Sequence, residues 1–265
     1  MKFLKSAKNK FPRYTAKLKT RYDNFTVLSS EPFLGYIDNI FDNSDIENVL
    51  AHIENATESD WNTLERKIDQ DIDSNYLNIN RNHRINLSLQ TPVEGDVNIR
   101  KTVSELCGLP EQNCEKTILG KYLPGMKLPY HCDSVEFSDQ NNLLSFSLTG
   151  GQRILTAILY LSDNFTGGET HFDQLNITVT PRKGRLLLFH NVAENANIPD
   201  YRTSHCSNLV TEGIKYTATF WFRINAIDWQ LMQDISNKTL SERQNIHRDV
   251  LKNLSFHKQT VQFIR

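Results

Sequence analysis

The sequence predicts an all-β core with flanking helices, arranged as a double-sheet jelly roll with helices toward both ends of the chain. Three observations lead there. From residue 116 onward, short apolar or alternating segments recur near 116–122, 142–148, 153–162, 176–180, 184–190 and 213–224, divided by Gly, Asn, Asp and Pro. Ahead of them lie two amphipathic helical stretches, and helical spacing returns after them. Finally, 265 residues suit one well-filled core with decorations better than two full domains.

Residues 1–22 carry eight Lys or Arg and no acid, so 1–29 reads as a basic, solvated N-terminal tail. The stretch SDIENVLAHIENA, 44–56, opens with a Ser-x-x-Glu capping box and sets Ile46, Val49, Leu50 and Ile53 on one helical face. A second helix is expected over 97–107, with Asp96 as N-cap, Ile99, Val103 and Leu106 facing inward, and Gly108, Leu109 and Pro110 closing it. Between the helices, 68–85 is rich in Asn and Asp and reads as loop with one strand. Residues 153–161, RILTAILYL, are apolar on both faces, which predicts a strand covered on both sides. The end of the chain, 226–265, reads as a helical extension through Leu240, Ile246, Val250, Leu251 and Leu254.

Composition narrows the function. Thirty basic residues against 31 acidic ones give no general pull toward nucleic acid or a membrane surface. No run of about 18 apolar residues exists to span a bilayer, and the apolar stretch of a secretory signal is missing, so a soluble cytoplasmic protein is expected. Cys107, Cys114, Cys132 and Cys206 lack the paired spacing of a zinc site or disulfide framework and should be reduced packing residues.

The chemistry concentrates in His131, Asp133, His205 and Lys215. Residues i and i+2 of a strand share a face, so His131 and Asp133 can reach one ion while Cys132 points away. With His205 they compose a two-His, one-carboxylate set that leaves coordination positions open. A second His-x-Asp, His171 to Asp173, competes for the role. A ligand pair and a third ligand on a late jelly-roll strand need several strands between them, and 74 residues separate His131 from His205 against 34 for His171. The first pair fits better, leaving His171 as a surface or hydrogen-bonded histidine and His190 as a buried one. Hydrolytic zinc sites use the same donor set, so the triad alone leaves zinc open. Lys215 argues for a different chemistry. A strand over 213–223 places Lys215, Thr217, Thr219, Trp221 and Arg223 on one face and Ile214, Tyr216, Ala218, Phe220 and Phe222 on the other. An inward ammonium needs an anion, and a dicarboxylate co-substrate would supply one.

In order along the chain, these residues resemble the prolyl 4-hydroxylase family of iron(II)- and 2-oxoglutarate-dependent dioxygenases. The likeness covers about 30–225: Tyr122 to Gly125, His131 to Asp133, Gly151 to Thr156, Tyr160 to Asp163, Gly167 to Thr170, Pro181 to Gly184, then His205, Gly213 to Lys215 and Trp221. The resemblance implies a cupin-like double-stranded β-helix, with Fe(II) on His131, Asp133 and His205. It implies 2-oxoglutarate with its far carboxylate on Lys215 and Tyr122, Thr170 and Trp221 along its sides, and Arg153 bordering a substrate groove. O2 is then the second co-substrate, and ascorbate a possible accessory. The expected reaction hydroxylates an unactivated C–H bond, foremost of a prolyl residue in a peptide or protein, releasing succinate and CO2. With Asp133 present, no halide can take its coordination place. Leu128 stands where peptide hydroxylases of that family carry a second Tyr, and the segment after His205 lacks their common Pro. A hydroxylase of a free amino acid or other small metabolite, and a non-catalytic jelly-roll binding protein, remain alternatives.

Overall fold

A computed structural model describes residues 24–57, 84–88, 93–134, 150–193, 199–230 and Glu242. The chain enters its main sheet through an antiparallel hairpin of β1 (Phe25–Ser30) and β2 (Phe33–Ile37). The sheet therefore begins ahead of residue 30, which corrects the boundary drawn from charge. β1 alternates half-buried and exposed residues over a span too short and polar to stand apart from the basic run before it.

Helix α1 (Asn43–Asn55) buries Ile46, Val49 and Ile53, as its spacing requires. Its expected capping box does not form. Asp42 holds the N-cap position without a side-chain bond, and Glu47 pairs with Lys183 instead. After β3 (Ile85–Ser88), helix α2 (Glu94–Cys107) starts earlier than expected, so Asp96 is buried in the first turn rather than capping it. Gly108 closes α2 at φ 60°, a left-handed conformation that glycine adopts without strain.

Ten further strands follow: β4 (Ile118–Tyr122), β5 (Leu128–His131), β6 (Arg153–Tyr160), β7 (Thr166–Gly167), β8 (Thr170–Phe172), β9 (Ile177–Val179), β10 (Leu186–His190), β11 (His205–Ser207), β12 (Val210–Glu212) and β13 (Lys215–Arg223). The expected strand 142–148, most of loop 68–85 and the helix expected over 239–255, Glu242 excepted, lie outside the described residues.

The strands sort into a seven-stranded sheet, β1-β2-β10-β6-β13-β4-β3, and a four-stranded sheet, β5-β11-β8-β9, with β12 and β7 as a separate pair. This is the jelly roll that the alternation predicts. Leu155, Ala157 and Leu159 of β6 join Ala218, Phe220 and Phe222 of β13 in a core shared with Ile46, Val49, Ile99 and Val103 of the helices. Tyr160 of the same β6 joins Leu187, Phe189, Phe172 and Val179 in a second core between the sheets. Burying each large side chain contributes roughly 1.5–3 kcal/mol, so β6 and β10, covered on both faces, anchor the fold. The inter-sheet space is not apolar throughout. At one end it holds Asp133, Thr156, His205, Lys215, Thr217 and Thr219, all buried. Polar groups are costly there unless partnered, which marks that end as the site.

Candidate metal centre

The small sheet brings the proposed ligands together. β11 pairs with β5 so that His205 stands directly opposite His131, and Asp133 lies two residues past the end of β5. Ligand atoms of the three residues lie within 4.8 Å of one another, and no other such group occurs among the described residues. His131 Nε2 is 3.5 Å from Asp133 Oδ1, and His205 Nε2 is 3.8 Å from Asp133 Oδ2.

Each imidazole is held from behind. Nδ1 of His131 lies 2.8 Å from the Pro129 carbonyl, and Nδ1 of His205 lies 3.0 Å from the Thr203 carbonyl. A carbonyl only accepts, so each Nδ1 carries the proton and each Nε2 turns its lone pair toward the shared centre. The Phe172 and Phe189 rings brace the His205 ring at 5.4 and 4.7 Å. Burial lowers the pKa of His205 to about 4 and keeps it neutral, the form in which an imidazole ligates. Burial alone would raise the Asp133 carboxyl, but His205, His131 and Arg153 together hold it well below the usual range. The Thr156 hydroxyl donates to Asp133 Oδ2 at 2.7 Å. Having one proton, it accepts in turn from Asn191 Nδ2 at 2.8 Å, a chain that fixes the carboxylate's orientation.

Lys215 closes the same cleft. Its buried amine donates to the Gly168 carbonyl at 2.6 Å and to Ser207 Oγ at 2.8 Å, and lies 4.6 Å from the centre of the Tyr122 ring. Among the described residues no carboxylate pairs with it. Burial, and next the Arg84 guanidinium, lower its pKa to about 7. A cleft of about 370 Å³, counting its open mouth, is lined by the three ligands, by Lys215, and by Tyr122, Thr170 and Trp221. Thr170 begins β8 and shares a 2.7 Å hydrogen bond with Tyr160.

Arg153 stands behind this wall. Its guanidinium stacks on Trp221 at 4.0 Å and forms a forked pair with Glu115, at 2.6 and 2.8 Å, while Arg223 shares the same carboxylate. His171 faces away from the ligands and bonds Thr178 at 2.8 Å. His190 is buried against Phe33, and burial lowers its pKa to about 3. All four cysteines are free thiols. Cys206, expected to be a packing residue, contributes to the cleft lining.

Sequence reasoning missed Thr156, Asn191, Ser207, Glu115 and Arg84. Ser207 was within reach, because it lies two residues past His205 and so shares its face. Arg84 carried no such signal. It ends an Asn-rich stretch without periodicity, and only the pairing of β3 with β4 brings it to the cleft.

The residues present fit an iron and a dicarboxylate. The His, Asp and His donors suit a divalent ion with open positions. On the cleft lining, Thr217 Oγ1 and Trp221 Nε1 are buried without a hydrogen-bond partner.

Residues 118–223 match the family model described as the 2OG-Fe(II) oxygenase superfamily. Over this span the chain is similar to 2OG-Fe(II) oxygenases of the prolyl 4-hydroxylase kind. A protein of Acanthamoeba polyphaga mimivirus, provisionally named a prolyl 4-hydroxylase, is 36% identical over 115 residues, covering 43% of this chain and 47% of that one. Prolyl 4-hydroxylase 2 of Arabidopsis thaliana is 35% identical over 147 residues, 48% of this chain and 47% of its own length. The chain thus spans about half the length of these curated relatives. A viral collagen prolyl hydroxylase from Paramecium Bursaria Chlorella virus-1, solved with 2OG, shares the fold at TM-score 0.52 and 19% identity, covering 74% of this chain and 96% of that one. No helix of the described residues is long and apolar enough to cross a membrane.

Proposed function

We propose that this protein is an Fe(II)- and 2-oxoglutarate-dependent dioxygenase that hydroxylates a prolyl residue in a peptide or protein. One observation carries the reading: a two-His, one-carboxylate triad and a buried lysine without a carboxylate partner line a single cleft. A zinc hydrolase needs the triad but has no use for that lysine.

In this reading His131 and His205 through Nε2, and Asp133 through its carboxylate, hold the iron. An iron held there would supply the oxidising power by which O2 and 2-oxoglutarate give succinate, CO2 and a substrate C–OH in place of C–H. The protein's own share is placement and exclusion of water. Lys215 takes the far carboxylate, and because burial lowers its pKa to about 7, the arriving anion favours its charged form. Thr156 and Asn191 keep Asp133 in register. Tyr122, Thr170 and Trp221 shape the co-substrate's channel. Arg153, held on Trp221 by Glu115, supports a substrate groove at the channel's outer side. The prolyl 4-hydroxylase names of the relatives support a peptidyl substrate. Four free thiols support a reducing compartment such as the cytoplasm.

The test supplies Fe(II), 2-oxoglutarate, ascorbate and O2 with proline-rich peptides, free proline and other amino acids, reading succinate and product mass. A gain of about 16 Da on a peptide prolyl residue, dependent on O2, is the expected result. The same gain on a free amino acid alone would replace the peptide assignment, and hydrolysis without O2 or 2-oxoglutarate would replace the whole reading.

A further inference from the structure

We propose that Arg84 is a second anchor for the far carboxylate of the co-substrate, working beside Lys215, and that Gly120 is the position that admits it. The proposal rests on the 2-oxoglutarate reading above and extends it to a residue outside the span matched by the family model.

Arg84 immediately precedes β3 at the edge of the large sheet. There Ile85 pairs with Lys121, while Tyr122 pairs with Lys215 on the far side of β4. Arg84, Tyr122 and Lys215 thus form a row across three adjacent strands. To reach the cleft, the Arg84 stem crosses β4 at Gly120. A Cβ at Gly120 would stand 2.6 Å from Thr217 Oγ1 and 3.7 Å from Arg84 Cδ. Alanine would already collide with the threonine hydroxyl, and a longer side chain would fill the path of the arginine.

The guanidinium that arrives there is poorly satisfied by the described residues. Among them its one hydrogen bond is long, 3.5 Å from Nη1 to the Tyr122 hydroxyl. Its Nε is buried without a partner. Among the described residues no carboxylate pairs with either Arg84 or Lys215, so two basic side chains share one cleft wall. Leaving a guanidinium N–H dry costs free energy that a carboxylate would recover, and one carboxylate has oxygens enough for both donors. The row also identifies which end of the co-substrate is met. Arg84 touches the hydroxyl of the ring over which Lys215 sits, not a metal ligand. Electrostatics agree, since after burial the Arg84 guanidinium does most to lower the pKa of Lys215.

The test is equilibrium titration of the full-length protein, loaded with Mn(II) in place of iron so that no turnover occurs. The probes are 2-oxoglutarate and oxalate, which chelates the metal but has no far end. Arg84→Gln should weaken 2-oxoglutarate about tenfold or more and leave oxalate within about twofold, with Arg84→Lys recovering part of the loss. Gly120→Leu should reproduce the loss, and adding it to Arg84→Gln should change little further. Wild-type affinity for 2-oxoglutarate in Arg84→Gln would overturn the proposal while leaving the co-substrate reading intact. So would equal losses for both probes, which would give Arg84 a purely structural role. If wild-type protein binds oxalate but no 2-oxoglutarate, the co-substrate reading itself fails.

Discussion

The chain contains His-x-Asp twice, and the two copies begin in strands that flank the same neighbour, yet only one reaches the candidate metal centre. β11 pairs with β5 on one side and β8 on the other. Across the first pairing His205 meets His131, and across the second it meets Phe172, with His171 opposite Cys206. The second copy is therefore one residue out of phase. Its middle residue faces the inter-sheet space, His171 turns to the outer face against Thr178 and Tyr130, and Asp173 is exposed in a short turn. A strand's side-chain period is two, so a slip of one exchanges inside for outside. Chain separation favoured the copy that clusters with His205, but separation is not the obstacle, since β8 adjoins β11. Phase is.

The largest expected effect tests that contrast. His131→Ala and Asp133→Ala should each lower succinate formation to the level without enzyme and abolish stoichiometric Mn(II) binding. His171→Ala should keep both within about twofold of wild type, as surface substitutions away from special features do. Equal inactivation by His171→Ala would show that the outer copy takes part in chemistry and would break the comparison.

A smaller effect should come from what stands behind each carboxylate. Asp133 is buried and bonded by Thr156, which Asn191 orients, whereas Asp173 lies at the surface beside Gln174. Thr156→Val keeps the shape and removes the hydroxyl. Loss of such a supporting bond typically weakens metal affinity about 10–100-fold. Competitive titration with a chelator measures it. An unchanged affinity would mean that burial alone, without the Thr156 to Asn191 chain, orients Asp133.

The same contrast separates what the sequence disclosed from what it withheld. Alternation along 213–223 correctly divided Lys215, Thr217, Thr219 and Trp221 from Ala218, Phe220 and Phe222, because a long strand covered on both faces expresses its period without ambiguity. The two-sided burial of β6 was legible for the same reason. Signals that depend on a distant partner were not. The capping box of α1 looked complete locally, but Glu47 is drawn to Lys183, far along the chain. Asp96 reads as a cap until α2 is seen to begin earlier, with Asn48 of α1 accepting the Gly95 amide at 3.0 Å. β7, β8, β11 and β12, two or three residues each, are too short to show a period. Arg84 and the Thr156 to Asn191 chain exist only through cross-strand register, which a linear pattern does not encode.

The smallest effect comes from the outer face itself. His171 accepts or donates one hydrogen bond with Thr178 and lies edge-on to Tyr130 at 6.2 Å, and Tyr130 is itself exposed. A neutral side-chain bond at a solvated face contributes about 0.5–1.5 kcal/mol, because water replaces much of what is lost. Thr178→Val should therefore lower Tm by only a few degrees, since about 1 kcal/mol shifts a domain of this size by roughly 2–4 °C. Coupling between Thr178→Val and His171→Ala in a double-mutant cycle should stay near 1 kcal/mol or below. Metal affinity should not move in either variant, because Phe172 rather than His171 faces His205. A metal affinity that falls tenfold with Thr178→Val would show the two faces of the small sheet to be coupled through β8, and phase alone would no longer account for the different fates of the two copies.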